Sequence, residues 1–470
     1  MNKNNSIKNS KLGALLLVVG LFSVGCGNNS PPENSSVNNY VDTPNNTVIV
    51  DKDNGPFKTI TAALNSSSIT AGTTILVKKG IYNEAVNINK SGNASAYITL
   101  KGESGTVIDG AGLKTDYLIQ INNKSYLKVI GFEIQNLKKN SGTPMGINVS
   151  GSSSFLEIRN NKVHGIEYPK GNAHGIAFYG DSGTPMTNII LDGNEVYGCK
   201  LGQSESVVLN GNVTDFVVSN NVIHDNDNIG IDFIGFEKTA PSSDQARNGV
   251  CFGNKVYNIS TKDNPTYPND RCADGIYVDG GKNIIIERNI VDNCDIGIEC
   301  ASEHAGKSTE KITIRNNFVS RSFQGNILMG GYAAGKGNAV DITVVNNTTY
   351  KGKDCEIAVQ FNSSNVIIKN NILVANQGKT YVEQWGKNNT NIAVQNNLYF
   401  GASTNSPGDW SDTKSKFANP LLVNPYNDLH ISNNSPAINV GLNLGAIMGN
   451  KDIDNQNRTN GTVDIGADEK

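Results

Sequence analysis

Along the middle of the chain, apolar residues alternate with polar ones, break at an Asn, and then resume. Leu156-Glu157-Ile158-Arg159-Asn160-Asn161-Lys162-Val163 is one instance, and Ile312-Thr313-Ile314-Arg315-Asn316-Asn317-Phe318-Val319 is another. The Asn two positions before the closing apolar residue recurs as Asn161, Asn194, Asn221, Asn254, Asn289, Asn317, Asn347, Asn371 and Asn397, at spacings from 24 to 35 residues. A period of two is the periodicity of strands. Recurrence at this length marks stacked supersecondary units, and the uneven spacing marks loops of different size on a constant frame.

A second pattern falls between these. It reads small, apolar, variable, apolar, as in Gly146-Ile147-Asn148-Val149, Gly230-Ile231-Asp232-Phe233, Gly275-Ile276-Tyr277-Val278 and Gly297-Ile298-Glu299-Cys300. Each unit then holds a short strand, a loop, and two strands joined by the Asn turn. Strands of this kind stack on their counterparts about 4.8 Å along an axis, with alternate side chains in one long core. The prediction is an all-β, right-handed parallel β-helix with three strands per coil and about 10–12 coils. Asn suits the sharp turn because it tolerates the left-handed conformation, and stacked Asn amides can hydrogen-bond from coil to coil.

A β-helix exposes core and strand edges at its ends unless they are covered. Phe57, Ile60 and Leu64 lie at helical spacing with Ala62 and Ala63 between them, which predicts a short N-terminal capping helix. Ile75 and Val77 then alternate as a strand. The expected layout is a β-helix with its cap over residues 47–400 and a C-terminal capping segment over residues 401–470.

Composition narrows the class of function. The 470 residues carry 40 basic and 43 acidic side chains, a net charge of −3, which removes the electrostatic case for a nucleic-acid binder. The 49 glycines suit a chain of many tight turns rather than a helical bundle. Lys3, Lys8 and Lys11 precede an apolar run at 12–22, too short to span a bilayer, followed by Ser23-Val24-Gly25-Cys26. This start resembles a bacterial lipoprotein signal. The resemblance implies cleavage after residue 25, lipidation of Cys26, and export with a lipid anchor in the cell membrane or outer membrane, outside the cytoplasm. Residues 26–46, rich in Asn, Ser and Pro, read as a flexible tether. The remaining cysteines contain no CxxC pair, so a zinc site built on them is not supported. Cys272 and Cys294 fall at equivalent places in successive coils, as a disulfide or a thiol stack.

Candidate chemistry lies on the short strands. Their outward variable position reads Asn148, Ala177, Val208, Asp232, Tyr277, Glu299, Leu328 and Ala358 from coil to coil, and two positions on it reads Ser150, Tyr179, Asn210, Ile234, Asp279, Ala301, Gly330 and Gln360. Asp274 and Asp295 precede their strands. Asp232, Asp274, Asp279, Asp295 and Glu299 are therefore expected within about three coils. Carboxylates stacked so closely repel one another unless a cation lies between them, and an oxygen-only set suits Ca²⁺. Loops at 235–248, 259–272, 301–311 and 330–341, with Phe236, Tyr267, His304 and Tyr332, rise beside this face as the walls of a groove.

The stretch 57–82, the Ser435-Pro436-Ala437-Ile438-Asn439 segment and the Asp464-Ile465-Gly466-Ala467-Asp468-Glu469 segment resemble the opening and closing pieces of the pectate lyase superfamily and similar secreted β-helix proteins. Ala273-Asp274-Gly275-Ile276, with Asn293-Cys294-Asp295-Ile296-Gly297-Ile298-Glu299 one coil later, resembles the calcium-site segment of a pectate lyase family. The resemblance implies Asp274, Asp295 and Glu299 as ligands, with Asp279 in the place of that family's Lys base and Ile296 in place of its second paired Asp. It implies a lyase that removes the proton α to a uronate carboxylate with Ca²⁺ assistance. The expected metal set is Asp274, Asp279, Asp295 and Glu299. The candidate bases or other catalytic groups are Arg271, Tyr277, Lys282 and His304. Asp232, Tyr179 and Tyr332 are expected to bind substrate. An acidic polysaccharide is the expected partner, and the protein is expected to be monomeric. A C5-epimerase, a two-carboxylate glycoside hydrolase and a non-catalytic binding or adhesion module use the same scaffold and remain open alternatives. His174-Gly175 stands alone, without the rest of the segments typical of β-helix polygalacturonases.

Overall fold

The computed structural model describes residues 46–458 and 462–470. The signal, Cys26 and the tether up to residue 45 lie outside the described residues. Three parallel sheets run the length of the molecule, two of 13 strands and one of 11. We name them by what they carry. The ladder sheet runs from Thr47–Val50 to Thr390–Gln395, the flank sheet from Gly80–Tyr82 to Lys416–Phe417, and the cleft sheet from Val86–Ile88 to Thr380–Gln384. Each coil visits the cleft, ladder and flank sheets in turn. The protein is thus a parallel β-solenoid of about 13 coils rather than 10–12. The additional strands, such as Thr47–Val50 and Lys416–Phe417, lie at the two ends, where the Asn signature is absent.

The recurrent Asn forms a buried ladder at the turn between the ladder and flank sheets. The Oδ1 of Asn194 accepts hydrogen bonds from both the backbone N–H and the Nδ2 of Asn161, each at 3.0 Å. The same pair of bonds links Asn194 to Asn221, Asn221 to Asn254, and Asn254 to Asn289, and the chain of amides continues to Asn397. Each Nδ2 also donates to a strand carbonyl, as Asn254 does to Val218 at 3.0 Å. The left-handed residue of the turn is the one before the ladder Asn: Asn160, Asn220, Arg288, Asn316, Asn346, Asn370 and Asn396 have φ between 52° and 58°. Two Asn-compatible roles thus stand side by side. One residue bends the chain, and the next seals the core against unpaired amides.

The interior is a single column of Ile, Val and Leu from all three sheets. At the front, the helix Ile60–Leu64 buries Ile60, Ala63 and Leu64, while Phe57 packs partly buried against the same core. Thr59 caps the helix by accepting from the Ala62 N–H at 3.1 Å, and the Glu84 carboxylate accepts from the N–H groups of Ile60 and Thr61. Among the described residues, no helix is long and apolar enough to cross a membrane.

Residues 401–470 do two different things. Trp410 and Phe417 pack on the last core residues, and the Asp412 carboxylate ends the ladder by accepting from the N–H groups of Asn396 and Asn397 and from the Tyr399 hydroxyl. After residue 417 the chain folds back along the outside of the flank sheet. There Leu429, Ile431, Ala437, Ile465 and Ala467 cover Phe318, Tyr350, Ile372, Val374 and Leu398. The turn residues Asn316, Asn346, Asn370 and Asn396 hold this tail by donating to the carbonyls of Met448, Asp464, Leu442 and Val440.

Candidate functional site on the cleft sheet

The strand Asp274–Asp279 lies between Ile231–Ile234 and Ile296–Ala301 in the cleft sheet. The register sets Asp232 beside Tyr277 and Tyr277 beside Glu299, one coil apart. Asp274 joins this face because the strand breaks its alternation at Gly275. A Cβ on Gly275 would lie 2.6 Å from the Val291 side chain and 2.8 Å from the Gly297 carbonyl, so this position faces a full core. Two consecutive residues, Gly275 and Ile276, thereby point inward, and Asp274 and Tyr277 both reach the outer face. This explains the small residue at the head of the short-strand pattern.

The result is a row of buried carboxyls. Asp232, Asp274, Asp279 and Glu299 are each 5% exposed or less. Burial raises the pKa of Asp274 well above its ordinary value, with the neighbouring Glu299 charge adding to the effect. Burial pushes Glu299 up to about 7, against its hydrogen bonds with Asp274 and with Gln360, whose Nε2 donates to Oε1 at 2.6 Å. Asp232 is raised by burial and by the Glu205 charge, and Glu205 itself is pushed up to about 8 by burial and by Glu237. Asp279 is raised by burial even though the Glu303 N–H donates to it at 2.8 Å. The Tyr277 phenol is held protonated by burial and by Asp279. Asp232 Oδ1 and Asp274 Oδ1 are buried with no hydrogen-bond partner.

The other expected residues sit elsewhere. Asp295 does not face the row. It is fully buried at the root of the 259–272 loop, where it accepts from Ser260 Oγ, Thr261 N–H and Ala273 N–H and pairs with Arg271 Nε at 2.7 Å. These bonds clamp both ends of the loop and use up the carboxylate. Arg271 is held there too, with its guanidinium 3.7 Å from the Phe323 ring centroid, so neither residue is free to act as a ligand or base in the row. Lys282 lies past the Gly280-Gly281 corner on the ladder sheet, paired with Glu310 at 2.7 Å. His304 is half-buried in the loop that follows Glu299, and its Nε2 has no hydrogen-bond partner. Tyr332 is 52% exposed, with the Lys336 ammonium 4.6 Å above its ring. Cys272 and Cys294 are free thiols. Among the described residues, no Lys or Arg is ion-paired with Asp232, Asp274, Asp279 or Glu299.

Three functional-looking residues have no role assigned from the sequence, although Gln360 stands in its outward file. His174 is 2% exposed, its Nδ1–H donates to the Glu205 carbonyl at 3.2 Å, and its Nε2 accepts from the Tyr179 hydroxyl at 2.9 Å. Burial lowers the His174 pKa to about 4, so the ring is neutral. Glu205 bridges this pair to Asp232 electrostatically, and Gln360 reaches Glu299 from two coils below. His174, Glu205 and Asp274 share one position in the repeat, the residue just before the small one, and that file carries the signal.

Residues 145–339 match the family described as Right handed beta helix region. The uncharacterized protein YwoF of Bacillus subtilis (strain 168) is 37% identical over 377 residues, covering 77% of this chain and 80% of YwoF. Among solved structures, PfbA, a surface adhesin of Streptococcus pneumoniae, shares the fold with a TM-score of 0.53 at 15% identity, over 76% of this chain and 87% of that one. Pectate lyase Pel9A aligns over 90% of this chain and 96% of its own, with a TM-score of 0.48 at 15% identity. The periplasmic alginate epimerase AlgG aligns over 74% and 79%, with a TM-score of 0.45 at 15% identity. The likeness to PfbA shows a shared fold and nothing of function. The chain belongs to the family of YwoF, on a right-handed parallel β-helix.

Proposed function

We propose that the protein is an exported, lipid-anchored polysaccharide lyase that cleaves a uronate-containing polymer by calcium-assisted β-elimination. One observation carries the reading: two buried carboxylate oxygens, Asp232 Oδ1 and Asp274 Oδ1, lie without hydrogen-bond partners in a row of acids that no Lys or Arg among the described residues neutralises. An anionic polymer would be repelled by such a row, so its binding calls for a cation. The donors are all oxygens, which fits Ca²⁺ better than a softer metal. Asp232, Asp274 and Glu299 would hold it. When bound, Ca²⁺ would neutralise a substrate carboxylate and make the α proton more acidic.

The chain's own groups supply the rest. His304, with its unpartnered Nε2, is the base this reading assigns in place of Arg271 and Lys282. Tyr277, a protonated phenol between Asp232 and Glu299, would give a proton to the leaving oxygen. In this reading the loops at 235–248, 259–272 and 301–311 would wall a groove, and the Asp295 clamp fixes the second of them. Asp279 steadies the third through the Glu303 N–H.

A second reading, a glycoside hydrolase, draws on the Glu299 carboxyl at about 7, a value suited to a general acid. Asp232 stands two coils away, roughly 9–10 Å, at the upper edge of the spacing of inverting enzymes. Incubation with uronate polymers and neutral glycans, with Ca²⁺ or with chelator, separates the readings. An absorbing unsaturated sugar that forms only with Ca²⁺ supports the lyase. New reducing ends without that absorbance support the hydrolase, and no covalent change on any polymer leaves a binding module.

A further inference from the structure

The back-folded tail holds a second cluster, remote in sequence from the cleft and on another sheet. His430, Asp454 and Asp468 bring one ligand atom each to within 4.8 Å of one another, the spacing of a shared ion. In a tetrahedral zinc site, bonds of about 2.1 Å put ligand atoms roughly 3.4 Å apart. His430 lies on the hairpin strand Asp428–Ile431, Asp454 on the turn after Asp452, and Asp468 near the C-terminus.

Two features point to a ligand rather than a plain ion-pair network. Asp468 is 1% exposed, and its Oδ1 has no hydrogen-bond partner, although Oδ2 accepts from the Ile431 N–H and pairs with Lys470. His430 is oriented as a metal ligand. Its Nδ1 is bound to the Asp428 carboxylate, which turns Nε2 toward Asp454, where a metal ion would take the place of any proton on that nitrogen. That Nε2 stands 3.0 Å from Asp454 Oδ2 without making a hydrogen bond. The Phe318 ring meets the imidazole edge-on at 4.9 Å and fixes its plane.

We propose that His430 Nε2, Asp454 and Asp468 form a divalent transition-metal site that clips three separate stretches of the C-terminal tail to one another. One imidazole and two carboxylates suit Zn²⁺ or Mn²⁺ and not Ca²⁺, which prefers oxygen alone. Asp454 is partly exposed, so the fourth position opens to water. Asp428 is a positioning residue for the imidazole. The site stands on its own residues and is independent of the activity read into the cleft.

The test uses the full chain, freed of metal and titrated with Zn²⁺, with Ca²⁺ as the comparison, followed by calorimetry, melting and metal analysis. Asp454→Asn is the main variant, because its side chain is exposed enough to leave the fold intact; Asp428→Asn and His430→Gln accompany it, and His224→Gln controls for surface histidines. The expected result is one Zn²⁺ lost from the count in Asp454→Asn and His430→Gln. A Zn²⁺-dependent rise in Tm is expected in the native chain and in His224→Gln, but not in Asp454→Asn. Asp428→Asn should weaken binding by about 10–100-fold. Equal metal content in the native chain and Asp454→Asn overturns the proposal, as does Ca²⁺ binding there as tightly as Zn²⁺ does. In either case His430 is simply an ion-paired histidine between two aspartates.

Discussion

The molecule buries two stacks of polar side chains at the same coil-to-coil spacing, and they could hardly be more different. In the Asn ladder every amide is both donor and acceptor, so each member satisfies its neighbour, and the stack adds no charge. In the cleft row the members are all acceptors when ionised. They can coexist only by keeping protons, as the raised pKa values of Asp232, Asp274 and Glu205 show, or by sharing a cation. A self-complementary stack is what a fold needs. A stack of like groups with orphaned oxygens works against folding, which is the physical reason to read it as a site.

The sharpest break in this comparison is Asn254→Ala. It removes the acceptor for Asn221 N–H and Nδ2, the donor to Val218 and the side-chain donor to Asn289 Oδ1, while the backbone N–H of residue 254 keeps its own bond to that oxygen, all in a dry core. A loss of about 3–5 kcal/mol is expected, from roughly 1–3 kcal/mol per stranded group, read as a lower denaturant midpoint.

Glu356 offers an intermediate case, a lone acid among satisfied neighbours. It is buried, accepts from Asn326 Nδ2 and the Gly352 N–H, and burial pushes its carboxyl up from 4.5 to about 8. An acid that titrates higher in the folded chain than in the unfolded chain binds its proton more tightly when folded. The stability this supplies is therefore fully present below pH 4.5 and is lost as pH rises from there through 8. The expected outcome is a Tm that declines over this window, with a shallower decline in Glu356→Gln.

Asp274→Asn should separate the stacks in the opposite sense. Replacing one crowded acid by an amide removes the cost of ionising it among its neighbours, so Tm at pH 8 should hold or rise by the equivalent of about 1 kcal/mol, while turnover of any substrate disappears. A large drop in Tm would place Asp274 with the structural residues.

The coil and the ladder were legible because their signals are periodic. Alternation gave the strands, and the recurrent Asn marked the turn. The division of labour within Asn-Asn was not, since either Asn can adopt φ > 0 and only the fold shows which one must. The number of coils ran short because the outermost strands carry no Asn. Most of the acid row was readable by listing outward positions, yet His174 and Glu205 were missed. They precede the small residue, where Gly275 and its counterparts break the alternation that the listing assumed. Asp295 misled for a related reason: it sits one residue before its strand like a ligand, but faces the root of a neighbouring loop whose path no local pattern reveals. The back-folding of the tail depended on contacts such as Asn346 to Asp464, far apart in sequence.

The account rests on the cleft row holding a divalent cation between buried oxygens. Calorimetric titration of Ca²⁺ into the native chain, Asp232→Asn and Asp274→Asn tests this directly. One site in the native chain, weakened at least about tenfold in each variant, is the predicted result. No heat in the native chain, or equal affinity in all three, would contradict it.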